Sequence, residues 1–158
     1  MKEILPQRKS IRLKEYDYTH EAYYFITICI KNRINILGKI IKYCRGEHCS
    51  SGKMKLSYEG KTVKKYLELI HEKYNNIIID EYVIMPNHIH MILTITEQKS
   101  ISVSKVIQQY KGIVTKELGY SIWQKLFYEH IIRNEKEYYL IKEYIQNNVI
   151  NWEKDKYF

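Results

Sequence analysis

The sequence predicts an α+β domain in which helices pack against one mainly antiparallel sheet. Short runs rich in aromatic and β-branched residues alternate with segments of helical periodicity. The elements follow in the order strand, strand, helix, strand, strand, helix, strand, helix, and no repeat, low-complexity tract or linker interrupts them. At 158 residues and 45% apolar composition the chain is long enough for one core and too short for two ordinary domains, so residues 1–158 are read as a single domain.

Residues 1–18 read as a basic arm, since Arg8, Lys9, Arg12 and Lys14 fall in a stretch of little periodicity. Ala22 to Ile30 (AYYFITICI) is a buried strand closing at Lys31-Asn32-Arg33, and a second strand follows near Ile36 to Tyr43. The Gly and Ser density from Cys44 to Lys53 marks a loop at the tip of a hairpin that returns through Met54 to Ser57. From Tyr58 to Asn75 the positions Val63, Tyr66, Leu67, Ile70 and Tyr74 recur at helical spacing. Ile77 to Met85 and Ile89 to Ile95 are two strands joined tightly at Pro86-Asn87, which makes them antiparallel neighbours.

A further helix, capped at Ser100 or Ser102, carries Val103, Val106, Ile107, Tyr110, Ile113, Val114 and Leu118 on a 3.6-residue period and ends at Gly119. Leu126 to Ile132 is a short strand. Asn134 caps a last helix with Glu135 and Glu137 in its first turn, running to about Asn148.

The 26 Lys and Arg residues outnumber 18 Asp and Glu, giving a net charge of +8 and a partner preference for polyanions. Cys29, Cys44 and Cys49 form no CxxC pair, so neither a disulfide framework nor a zinc ribbon is indicated, and Cys44, His48 and Cys49 match no common zinc spacing. No apolar run approaches the ~20 residues of a membrane span, and Met1-Lys2-Glu3 opens no signal peptide. The expectation is a cytoplasmic protein with no membrane partner.

His88 and His90, in Met85-Pro86-Asn87-His88-Ile89-His90, lie two apart on a strand, so both imidazoles face one side while Ile89 enters the core. That is metal-ligand placement, although an isolated H-x-H pair reads more readily as two half-exposed strand-end histidines. Tyr144 and Asn148, four apart, share a helix face and can address one point. By spacing alone Tyr144, near Leu140, Ile141 and Ile145, reads as a core tyrosine among the sixteen of the chain. Tyr110, beside Val106, Ile107 and Val114, is its more buried rival.

The segments Tyr82 to Leu93 (YVIMPNHIHMIL), Phe127 to Asn134 (FYEHIIRN) and Glu143 to Asn148 (EYIQNN) closely resemble the REP-associated tyrosine transposases of the HUH superfamily of single-strand transposases and nickases. The opening Ser10 to Tyr18 and closing Asn151 to Asp155 extend the resemblance over nearly the whole chain. It implies a ferredoxin-like, RRM-like sheet with the His pair on a central strand, and a metal-dependent endonuclease and strand-transferase.

In that reading His88 and His90 bind a divalent metal, Tyr144 is the nucleophile that forms a 5′-phosphotyrosine, and Asn148 matches the third ligand. Asn148-Val149 replaces the Asn-Pro that members often carry, so the helix is expected to end differently. Imidazoles with an amide oxygen suit Mn²⁺ better than Mg²⁺ by ligand type, and both are named. Glu129 and His130 alternate on a strand, so one of them faces the metal side, where it would orient a ligand.

Arg8, Lys9, Arg12, Lys14, Lys105, Lys111 and Arg133 are the expected phosphate contacts, and the implied partner is single-stranded DNA that forms a hairpin. Monomer and homodimer are both compatible. The alternatives are an HUH nickase for replication or mobilisation and a catalytically silent RRM-like nucleic-acid-binding module, which would need no His pair.

Overall fold

The computed structural model describes residues 22–42, 44–45, 48–49, 52–96 and 101–154. Arg8, Lys9, Arg12 and Lys14, with the basic arm predicted over residues 1–18, lie outside the described residues. Among the described residues eight strands and four α-helices follow in chain order: β1 (Ala22–Cys29), β2 (Gly38–Ile41), β3 (Cys44–Arg45), β4 (His48–Cys49), β5 (Lys53–Leu56), α1 (Tyr58–Glu68), α2 (Ile70–Lys73), β6 (Ile77–Ile84), β7 (His88–Ile95), α3 (Val103–Leu118), β8 (Tyr128–Ile132) and α4 (Glu135–Asn147).

The main sheet has the order β6-β7-β1-β8, and every pairing in it is antiparallel. With helices after the first and third of these four strands, this is the βαββαβ ferredoxin-like arrangement. A separate hairpin, β2 with β5, is extended by the short pair β3 and β4 where the Gly and Ser density had predicted a loop.

Side-chain caps set the helix starts. Ser57 Oγ accepts the Gly60 N–H at 3.0 Å, Ser102 Oγ that of Lys105 at 3.4 Å, and Asn134 Oδ1 that of Glu137 at 2.9 Å. Gly119 closes α3 at φ 80°, a left-handed conformation that glycine adopts without a Cβ penalty. The helix predicted through Asn75 is divided at Leu69 (φ −84°, ψ −3°) into α1 and α2.

Cross-strand partners share a face, so the register sorts the sheet into two sides. Tyr24, Ile26 and Ile28 pair with Leu93, Met91 and Ile89 on the first side, against Val63, Leu67 and Ile70 of the α1–α2 pair and Val103, Val106, Ile107, Tyr110 and Val114 of α3. Each such Ile or Leu, fully buried, contributes about 1.5–3 kcal/mol relative to exposure, so this side holds most of the apolar stabilisation. Phe25, Thr27 and Cys29 pair with Ile92, His90 and His88 on the second side.

Most of the helical layer thus lies on one face, as predicted, and α4 alone crosses to the other. It is held there by a smaller cluster, Ile92, Ile132 and Ile145, with Phe25, Val83, Tyr138 and Ile141 against it.

Candidate active site

The site is assembled where the β6–β7 turn delivers its first strand residue. Met85 N–H bonds His88 O at 2.9 Å, closing the turn, while Pro86 O and Asn87 O accept from Leu37 and Ile30. Proline fits at Pro86 because its missing N–H is not required for either bond. His88 and His90 then emerge on the second face with ring centroids 4.5 Å apart. They are 0% and 1% exposed, which excludes the half-exposed strand-end reading, since polar rings buried this deeply require partners.

Each imidazole is braced at Nδ1. Asn87 Oδ1 lies 2.8 Å from His88 Nδ1, and Thr27 Oγ1, across the strand pair, 2.8 Å from His90 Nδ1. The rings are also flanked by aromatics. Phe25 stacks on His90 (5.3 Å, 26°) and Trp152, in a 3₁₀ turn after α4, stacks on His88 (5.9 Å, 27°).

The last helix brings in the remaining groups. Tyr144 Oη is 3.2 Å from His90 Nε2, and its ring meets Phe25 edge-on at 6.2 Å. Tyr144 is 42% exposed, so its hydroxyl meets the buried pair while its ring stays open to solvent. Asn148 follows α4 as its C-cap, still helical at φ −62° and ψ −41°, so with Val149 next in the chain it stays in the helical register. It is 2% exposed, and its Oδ1 has no hydrogen-bond partner among the described residues.

A buried amide oxygen left in that condition costs about 1–3 kcal/mol, a cost that a cation ligand would remove. Two imidazole nitrogens and one amide oxygen suit a borderline divalent ion such as Mn²⁺. Among the described residues no third His, Cys, Asp or Glu joins the pair. The donor set therefore fits a divalent metal only if Asn148 takes part.

The other expected residues divide. Glu129 pairs with Ile26 and so points to the first face, away from the imidazoles, which removes it as an orienting group for them. His130 pairs with Phe25 on the second face, but its Nε2 contacts Glu137 Oε1 at 2.7 Å, and it serves to tie β8 to α4. Arg133 is exposed at the start of α4, where its backbone N–H donates to Glu137 Oε2.

Lys105 is exposed on α3, in the layer behind the sheet. Lys111, also on α3, donates from Nζ to Gln124 O at 2.7 Å and to Lys125 O at 3.4 Å, and burial pushes its ammonium below the ordinary lysine value. Its charge is spent inside the protein rather than offered to a phosphate. Tyr110 is buried, donates to Val63 O at 3.1 Å, and is pushed well above the ordinary phenol value by that burial. That makes it a core residue.

Sequence reasoning did not find Thr27, Asn87, Phe25 or Trp152 as parts of this site. A hydroxyl at the middle of an apolar strand was the one available signal for Thr27. The others depend on strand register and on the path of the chain after α4.

No family model matches the sequence. An uncharacterized protein of Haemophilus influenzae is 38% identical over 176 aligned positions, covering 96% of this chain and 93% of that protein. Among solved structures, a REP-associated tyrosine transposase bound to a REP hairpin superposes with a TM-score of 0.66 at 21% identity, covering 92% of this chain and 77% of that one. A candidate transposase from Deinococcus radiodurans R1 superposes with a TM-score of 0.51 at 16% identity, covering 86% and 97%. Among the described residues no helix is long and apolar enough to cross a membrane. The chain thus belongs to one family with the Haemophilus influenzae protein, and its fold is that of the REP-associated tyrosine transposase.

Proposed function

We propose that this protein is a transposase-like, metal-dependent enzyme that nicks and rejoins single-stranded DNA through Tyr144. The observation that carries the reading is the meeting of Tyr144 Oη with His90 Nε2 at 3.2 Å, with the His88 ring 4.5 Å from that of His90. A nucleophile on α4 thus meets a buried pair of cation donors on β7, and Asn148 lies one turn further along the same helix.

In the proposed reaction Tyr144 Oη attacks the scissile phosphorus, the bond to the 3′ oxygen breaks, and the strand is held as a 5′-phosphotyrosine with a free 3′-hydroxyl. The phosphodiester bond energy is retained in the tyrosyl ester, so the reverse attack can rejoin a strand. His88, His90 and Asn148 would hold Mn²⁺ or Mg²⁺. When bound, such an ion supplies charge stabilisation to the phosphate oxygens and a template for the scissile group. A cation at His90 Nε2 would take the position the Tyr144 hydroxyl now contacts, so the phenol and the ion exclude each other at that nitrogen.

Phe25 and Trp152 wall the imidazoles from bulk water, and a drier site strengthens every charge interaction within it. The solved relative by fold is bound to a REP hairpin. With a net charge of +8 here, a hairpin-forming single strand is the substrate class proposed, with Lys105 and Arg133 among the phosphate contacts. α4 covers the sheet face that an RRM-like module would leave open for bases, which favours the enzyme over the silent binding module. The tyrosine meets the histidines of its own chain, so a single chain suffices for the arrangement.

The test is incubation with end-labelled hairpin single strands and Mn²⁺ or Mg²⁺, followed by a denaturing gel. A covalent protein–DNA band should form and should vanish with Tyr144→Phe or with chelator. Persistence of the band in Tyr144→Phe would refute the nucleophile.

A further inference from the structure

We infer that Asn87 and Thr27 are positioning residues that set both imidazoles to present Nε2 as the metal-binding nitrogen. The inference rests on the metal-binding reading above and adds the residues that make it possible.

Atom types fix the direction of one brace. Arg33 O can only accept a hydrogen bond, and Asn87 Nδ2 lies 3.3 Å from it. The Asn87 amide is therefore oriented with Oδ1 toward His88, and an amide oxygen can only accept. The hydrogen in the 2.8 Å contact must then sit on His88 Nδ1, so the neutral ring carries its lone pair on Nε2.

The backbone at Arg33 supports a dedicated arrangement. Asn32 and Arg33 hold φ of 58° and 54°. The left-handed region is disfavoured for a residue with a Cβ, and a branchless glycine would be the ordinary choice. The chain retains arginine in that conformation at the point where its carbonyl faces Asn87.

Thr27 braces His90 from the neighbouring strand, at 2.8 Å from Nδ1 with the Tyr144 hydroxyl at the opposite nitrogen; its Oγ1 accepts the Nδ1 hydrogen in the tautomer that leaves Nε2 for a metal. Thr27 is 1% and Asn87 3% exposed, so water cannot replace either brace readily. Two unrelated side chains, one from a turn and one from a paired strand, thus engage the same nitrogen of two adjacent rings.

The experiment is direct measurement of Mn²⁺ affinity by electron paramagnetic resonance, which reads free against bound ion without DNA or turnover. Thr27→Val keeps the buried shape and removes the hydroxyl, while Thr27→Ser keeps the hydroxyl. Loss of such an outer-shell partner typically weakens metal binding about 10–100-fold, the loss expected for Thr27→Val and for Asn87→Leu, with Thr27→Ser staying near the parent protein.

An unchanged affinity in Thr27→Val and Asn87→Leu would overturn the inference while leaving the metal site standing. Equal losses in Thr27→Val and Thr27→Ser would also overturn it, because strand packing would then be the cause. Absence of Mn²⁺ binding by the parent protein would remove the metal reading itself, and the inference with it. Should Asn87→Leu fail to fold, the two Thr27 variants decide alone.

Discussion

Replacing Asn148 by leucine should stabilise the metal-free protein, although Asn148 is 2% exposed and a polar-to-apolar change at a functional residue is ordinarily neutral or harmful. Its Oδ1 has no hydrogen-bond partner among the described residues, so the change forfeits no bond at that oxygen and removes a buried, unsatisfied acceptor. Such an acceptor costs about 1–3 kcal/mol. For a domain of this size each kcal/mol moves the melting temperature by about 2–4 °C, which places the expected rise at about 2–12 °C.

The opposite holds once metal is present. At a hundredfold excess over its Kd, a ligand that binds only the folded state adds about 2.7 kcal/mol, an upward shift of about 5–10 °C in the parent protein, and Asn148→Leu should lose most of it. Calorimetric melting of both proteins with and without Mn²⁺ provides the four values. A leucine variant that melts lower without metal and keeps the full Mn²⁺ shift would show that Asn148 is a structural amide and no ligand.

Tyr110→Phe should lower the denaturant midpoint by the equivalent of about 0.5–1.5 kcal/mol, through loss of the bond to Val63 O, and leave covalent adduct formation with hairpin DNA unchanged. A lost adduct would move the nucleophile to that helix. Acid should loosen α4. The Arg133 backbone N–H, and then His130, hold the Glu137 carboxyl below its ordinary value near 4.5, so its charged form favours the folded state. That contribution is complete above the ordinary value and is lost as pH falls through the lowered one. Melting followed from about pH 6 to about pH 3 should decline more in the parent than in Glu137→Gln, and parallel curves would refute the linkage.

The sheet was legible because its strands are apolar runs with strong stops, and α3 because its stripe is bounded by Ser102 and Gly119. The division at Leu69 was not, since Val63, Leu67 and Ile70 keep helical spacing across it. In α4 the inward-facing stripe is Tyr138 and Ile141, both partly buried, then Ile145 and Asn148, at three and four residue steps, while Leu140 is 59% exposed. Counting Leu140 as inward made Tyr144 look like core. With the stripe turned slightly, Tyr144 moves to its edge and Asn148 into its line.

The metal-facing histidines were readable from a two-residue spacing, whereas their braces were not. Thr27 meets His90 only through the β1–β7 register, and Asn87 meets Arg33 across 54 positions of chain. Local patterns carry no information on such pairings.

All eight residues of β7 are buried, the two histidines among them, whereas α4 buries a single residue of its thirteen, Ile145. In the language of native-state hydrogen exchange the candidate site therefore spans two cooperative units of different stability. The β7 amides should exchange only with global unfolding, while α4 should open at lower free energy and carry Tyr144 away from the imidazoles as it does. The donor pair would then remain assembled while the nucleophile comes and goes, and release of a joined strand would require the opening of one helix and no disturbance of the core.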